Sequence, residues 1–234
     1  MPEITRLDEV PFDPDAAHLM ERLHLDADAP EAAEFVALLE RLKSAARPRA
    51  VYAVAFIGGR DGESVTIDGV PFKSRVLSRN LAGLHRVFPY IASCGPEMDS
   101  EVDAGDDYLV QFWIDTVKTE ALMAARAFLM DHLERVFATG NLSSMNPGSG
   151  DAEVWPIEEQ RPLFGYFGDT EALVGVRLTP SCLMVPNKSV SGILFPREVT
   201  FVTCSLCHRE GCPGRRAETD PHGAAAFGSV REES

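Results

Sequence analysis

Basic residues are scarce in this chain. Its 22 lysines and arginines face 36 aspartates and glutamates, giving a formal charge of −14. A surface of that sign repels phosphate backbones, so the composition argues against a nucleic-acid partner. It suits instead an encounter with a protein that carries a basic patch. Long apolar runs are also missing: none approaches the roughly 18 residues that a membrane span needs. The opening residues, Met1-Pro2-Glu3-Ile4-Thr5-Arg6, lack the basic stretch and apolar core of an export signal. The expectation is a cytoplasmic protein with no membrane partner. Internal repeats are absent. Cysteine is limited to five residues, which in an intracellular acidic chain points to thiol or metal chemistry rather than disulfides.

What is present has the balance of a globular protein, with 45% hydrophobic and 25% charged residues. Residues 1–48 read as a helical start. Asp13 or Asp15 is placed to cap a first helix through Leu19, Met20 and Leu23. Pro30 opens a second, with Phe35, Leu38, Leu39 and Leu42 at helical spacing. Val51 to Ile57 is an apolar, β-branched run expected to be a buried strand. The turn Gly58-Gly59-Arg60-Asp61-Gly62 then leads into a second strand at Ser64–Ile67. Ser74 is a cap for a short helix, and residues 87–92 read as a third strand ending at Cys94.

Residues 106–137 give the clearest helix, with a stripe of Leu109, Phe112, Trp113, Thr116, Val117, Ala121, Ala124 and Phe128. Glu120 falls within that stripe. A carboxylate there costs several kcal/mol unless it meets a fixed donor or a ligand. Further on, residues 155–167 read as a helix, and residues 174–178, 193–195 and 200–202 as strands. The core is thus expected over 49–203, followed over 204–234 by a cysteine cluster and a tail that frays from Arg215.

That cluster is Cys204-Ser205-Leu206-Cys207-His208-Arg209-Glu210-Gly211-Cys212, a C-x2-C-x4-C run. Two intervening residues let both thiolates face one ion, and a third arrives after a glycine. Zinc or an iron–sulfur cluster suits the set equally. Cys94, His208 or an external ligand is a candidate for the fourth place, with Cys182 a weaker one.

Two further segments mix Gly, Pro and short polar arms against buried-looking residues. They are Met145-Asn146-Pro147-Gly148-Ser149-Gly150 and Met184-Val185-Pro186-Asn187-Lys188-Ser189-Val190-Ser191-Gly192. Glycine admits close backbone approach, and Ser and Asn supply hydrogen bonds, so both read as loops lining one polar pocket.

With these two segments, Glu120 and the run from Trp155 to Gln160, the chain resembles the reactivation domain of cobalamin-dependent methionine synthase, in its free-standing form. Pro186-Asn187-Lys188-Ser189-Val190-Ser191-Gly192 is the most specific piece. The resemblance implies an α+β fold, with a bent antiparallel sheet and flanking helices. It implies S-adenosylmethionine bound by Glu120, Asn146, Pro147, Gly148, Ser149 and Gly150. It places Lys188, Ser189, Val190, Ser191 and Gly192 toward a corrinoid carried by a partner methyltransferase protein. Reductive methylation of cob(II)alamin is the implied activity, with a flavodoxin or ferredoxin type electron donor. A metal centre on Cys204, Cys207, Cys212 and Cys94 is a possible electron route. Where the family carries Arg and Tyr around its Pro-Gly, this chain has Ser144 and Ser149. Two other readings are a non-catalytic module that docks on a corrinoid protein and a zinc-stapled domain with a vestigial pocket.

Overall fold

A computed structural model describes residues 2–101, 105–149 and 154–196. In chain order the elements begin with β1 (Ile4–Leu7), α1 (Ala16–Arg22), α2 (Pro30–Ala45), β2 (Arg49–Ala53), β3 (Ala55–Arg60), β4 (Ser64–Ile67), β5 (Val70–Lys73) and α3 (Arg75–Asn80). They continue with β6 (Arg86–Ser93), α4 (Glu97–Glu101), α5 (Tyr108–Phe137), β7 (Leu142–Met145), a 3-10 turn (Ile157–Glu159), α6 (Gln160–Phe167), α7 (Thr170–Val174), β8 (Arg177–Leu178), β9 (Met184–Val185) and β10 (Ser189–Pro196). This is an α+β fold in which every strand pairing among the described residues is antiparallel.

β6 is the spine of the main sheet. One edge holds β2 and then β3 in a single register, Arg49 opposite Ser93 through Phe56 opposite Arg86, interrupted at Val54. The apolar run Val51–Ile57 is therefore one line of pairing broken into two strands. β1 continues the sheet beyond β2, while β4 and β5 continue it beyond β3. The other edge of β6 takes β10, and β7 lies outside β10.

Both faces of this sheet are covered, and the strand alternation sorts the core accordingly. Val51, Ala53, Ile91, Ile193 and Phe195 face α3, α6 and α7, with Trp155 among them. Ala50, Tyr52, Phe88, Tyr90 and Leu194 face the second half of α5, meeting Leu122, Ala125, Leu129 and Leu133. A third cluster joins α1, α2 and the first half of α5, where Phe35 meets the Trp113 ring edge-on at 5.6 Å. α5 thus spends its 30 residues on two different partners.

Caps explain several boundaries. Asp15 accepts from His18 N to start α1, and Asp107 accepts from Leu109 N and Val110 N to start α5. Ser74 Oγ accepts from Leu77 N at 3.0 Å and donates to Val154 O at 2.6 Å, so one hydroxyl caps α3 and ties it to the chain before Trp155.

Several expectations are corrected. Residues 4–7 belong to the sheet as β1, so the N-terminal segment is not wholly helical. The glycines at 58 and 59 lie within β3 at a register shift, and the turn comes after Arg60. Residues 170–174 form α7, leaving only Arg177–Leu178 as strand. Leu109 and Phe112, expected on the buried stripe, are exposed together with Tyr108, because α5 there presents Trp113 and Val117 to α2. The strand expected at residues 200–202 and the C-x2-C-x4-C run lie outside the described residues. No helix among the described residues is long and apolar enough to cross a membrane.

Candidate functional site

The site begins with a tight turn. After β7, Ser149 N donates to Asn146 O at 3.1 Å, with Pro147 and Gly148 between them. Gly148 has φ 75°, a conformation that glycine adopts without steric cost. Pro then Gly at the centre is the pattern of a type II turn. Gly148 N donates to Trp155 O at 2.9 Å, which fixes the turn against the segment leading into α6.

The Asn146 amide is fully used inside the protein. Its Nδ2 donates to Tyr90 Oη and to Ser191 O, each at 2.7 Å. Ser144 Oγ donates to Asn146 Oδ1 at 2.9 Å and lies 3.2 Å from Tyr90 Oη. With the tyrosine hydroxyl donating to Ser144, the three side chains close a ring in which each group both gives and receives. All three are buried. Unpaired buried groups cost about 1–3 kcal/mol each, and the ring leaves none of these so. Ser144 stands where the resembling family has Arg, and its hydroxyl is sealed in this ring.

The second expected loop is only partly a loop. From Ser189 onward it is β10, a strand inside the sheet. Gly192 lies opposite Tyr90, and a Cβ there would overlap Met145 O and the Asn146 amide. Ser189 Oγ donates to Pro186 O at 2.8 Å and lies 3.0 Å from Ser93 Oγ. Lys188 forms an ion pair with Asp115 of α5 at 2.7 Å. Residues 189–192 are thus paired to β6, and Lys188 is tied to α5.

Between turn and strand lies a cavity of about 660 Å³, within the roughly 300–1,000 Å³ common for small-molecule sites. Asn146, Pro147, Gly148 and Ser149 form one wall, while Met184, Val185, Asn187, Val190 and Ser191 form another. Ile157, Gln160, Thr179, Cys182 and Leu183 complete it. The two segments singled out in the sequence do meet at one cavity, but its walls are more apolar than a polar pocket suggests. No charged side chain lines it among the described residues. Ile157, Gln160, Thr179 and Leu183 were not expected there. Gln160 had a legible signal, since it sits at helical spacing with Leu163, Phe164 and Phe167, all buried.

Other expected residues lie apart from this cavity. Glu120 pairs with Arg22, joining α5 to α1, and is absent from the cavity wall. The fixed-donor reading of this carboxylate describes its position. Gly150 falls outside the described residues. Cys94 is fully buried in the cluster of α1, α2 and α5, and its thiol donates to Gly95 O at 3.2 Å. Burial pushes that thiol up to about 12. Its proposed co-ligands Cys204, Cys207 and Cys212 lie outside the described residues. Among the described residues no group of three His, Cys, Asp or Glu is placed to hold a metal ion.

Charge chemistry is also displaced elsewhere. Burial, reinforced by Asp68, raises the Tyr166 hydroxyl, while desolvation and then Arg135 lower His132. Neither residue lines the cavity. What the arrangement offers is enclosure, apolar walls and a few fixed polar atoms, which is equipment for binding and orienting.

One solved structure decides the fold. The MetH reactivation domain bound to AdoHcy superposes with a TM-score of 0.60, covering 86% of this chain and 81% of that one. The fold is that of a methionine synthase reactivation domain. Identity is 16%, so the likeness is one of architecture. No family model matches the sequence, and no curated protein matches it. The reactivation-domain fold nonetheless agrees with the bent antiparallel sheet and flanking helices expected from the sequence.

Proposed function

We propose that this chain binds an S-adenosyl compound in the cavity between the Asn146–Ser149 turn and the Met184–Ser191 segment, and serves a corrinoid-dependent methyltransferase of methionine synthase type. One observation carries the reading. The two segments that bear the sequence resemblance are the same two that wall the cavity, within a fold shared with a domain solved with AdoHcy bound. In such a reaction S-adenosylmethionine supplies the methyl group to reduced cobalt on the partner, leaving S-adenosylhomocysteine. The part of this chain is to hold the nucleoside and exclude water while the partner's corrinoid approaches. The run Cys204, Cys207 and Cys212 is carried forward as a proposed metal set, with the electron donor a separate protein of flavodoxin or ferredoxin type. Metal analysis of anaerobically purified protein tests that element by itself.

The experiment for the main reading is calorimetric titration of the full chain with S-adenosylhomocysteine. A saturable single site supports it, and no saturable heat at millimolar ligand sinks it. A second reading is favoured by the uncharged cavity wall and by Ser144 being sealed within its ring. On that reading the chain docks on a corrinoid protein without an adenosyl ligand. A silent titration beside retained association with the corrinoid protein selects it.

A further inference from the structure

Gln160 is the first residue of α6 and is 4% exposed. Ser191, itself 1% exposed on the central strand β10, donates its hydroxyl to Gln160 Oε1 at 2.8 Å. That bond occupies the acceptor end of the amide and fixes the side chain. The donor end is different: Gln160 Nε2 has no hydrogen-bond partner among the described residues. Among the described residues the sealed, unpartnered side-chain atoms are Glu97 Oε2 and Trp155 Nε1, so Nε2 is not among them. Gln160 lines the cavity, and with its acceptor turned to Ser191 the donor end is the one left to meet a ligand. A buried amide with a locked acceptor and a free donor is a built recognition element, because leaving that donor unmatched costs a ligand affinity.

The rest of the wall says what kind of acceptor it meets. Pro147, Ile157, Leu183, Met184, Val185 and Val190 are apolar, and no charged side chain joins them among the described residues. Such a wall complements a flat, uncharged ring system. It offers nothing to the ammonium and carboxylate of an amino-acid end. Asn146, the other buried amide on the wall, has both donors committed to Tyr90 and Ser191. Asn187, the third amide on the wall, is exposed to solvent, so Gln160 is the buried amide with a donor to offer.

We infer that Gln160 is the specificity-determining residue of the cavity, donating from Nε2 to an uncharged acceptor on the nucleoside end of the ligand, so that the site reads the nucleoside rather than the amino-acid end. This rests on the adenosyl-binding reading above. Its test uses S-adenosylhomocysteine and 5′-methylthioadenosine, which keeps the nucleoside and lacks the amino-acid end. The full chain and the variants Gln160→Met and Gln160→Glu are titrated with both, and each variant's thermal melt establishes that it is folded.

Wild type binds the two compounds with affinities within about tenfold of each other. Gln160→Met weakens both in parallel by roughly tenfold, the loss of one neutral hydrogen bond. Gln160→Glu weakens both near neutral pH, where an ionised carboxylate has no proton to donate. It recovers as pH falls and the carboxyl gains one, a pH profile that wild type lacks. Three results overturn the inference. One is loss of S-adenosylhomocysteine binding in Gln160→Met with methylthioadenosine unaffected. Another is binding by Gln160→Glu as tight as wild type near neutral pH, which places an acceptor rather than a donor at the cavity. The third is unchanged binding in every variant. If wild type binds neither compound, the adenosyl-binding reading fails first and takes this one with it.

Discussion

Replacing Gly192 with alanine tests the packing under the cavity. The position is not in left-handed backbone, so any cost comes from space. A Cβ at 192 falls inside contact distance of Met145 O and Asn146 Nδ2, and lies 3.1 Å from Asn146 Cγ. Met145 O belongs to β7, which pairs with β10 at Ile193, and the strands cannot part without breaking that ladder. Asn146 cannot retreat either, because Tyr90, Ser144 and Ser191 hold its amide. Overpacking of this kind costs about 1–3 kcal/mol. Disturbing two buried hydrogen bonds adds about 1 kcal/mol each. The expected destabilisation is therefore about 3–5 kcal/mol. Urea unfolding followed by the fluorescence of Trp113 and Trp155 reads it as a lower midpoint with unchanged slope. Gly165→Ala is the control. Gly165 lies in α6 with nothing within 4 Å of its Cβ, and alanine there is expected to stabilise by about 0.5–1 kcal/mol. A Gly192→Ala midpoint indistinguishable from wild type would refute the packing argument.

Other perturbations separate structural from ligand-facing groups. Asn146→Leu strands the partners of its amide and is expected to cost about 2–4 kcal/mol in the same urea assay; a smaller loss than a surface substitution contradicts the closed ring. Glu120→Gln breaks only its half-exposed pair with Arg22, so stability falls by less than about 1 kcal/mol and S-adenosylhomocysteine affinity is unchanged; a large affinity loss returns Glu120 to the ligand. Cys94, buried and with its thiol pushed up to about 12, is expected to resist maleimide in native protein and to react once unfolded, read by peptide mapping. His132 carries a pKa lowered from 6.5, chiefly by desolvation. The unfolded chain therefore takes up this proton first, and the stability it contributes above about 6.5 is lost as pH falls toward the folded value. His132→Phe should flatten the acid side of the stability profile, and an unchanged slope contradicts it.

Legibility in the sequence followed periodicity and caps. α2 and α5 were readable because each has a long apolar pattern, α2 with Pro30 as a start signal. Ser74 was readable because its hydroxyl precedes an apolar helix. β1, β5 and β7 were not, since four-residue strands reading ITRL, VPFK and LSSM carry no usable alternation. β7 misleads most: Ser143 and Ser144 look like surface but are buried. The first half of β10 was taken for a loop for the same reason, its Ser-Val-Ser-Gly being small and polar, while residues 193–195 were read as strand. Its glycine serves Asn146's close approach, which only the folded neighbour reveals. The stripe of α5 was misplaced at its start because burial there is set by α2 rather than by the sheet. Of the site, both walls were legible as segments, while Gln160 was visible as the end of the Trp155–Gln160 run and as one polar residue on an apolar helix face. The pairing of Glu120 with Arg22 joins positions far apart in the chain and left no local trace.

The central claim is that the cavity between the two segments holds an adenosyl ligand. A crystal structure of the chain grown with S-adenosylhomocysteine tests it most directly. The account predicts ligand density between the Asn146–Ser149 turn and the Met184–Ser191 wall, with an acceptor of the nucleoside within hydrogen-bond distance of Gln160 Nε2. Ligand bound at any other place on the molecule, or a cavity filled only by water at saturating ligand, would contradict it.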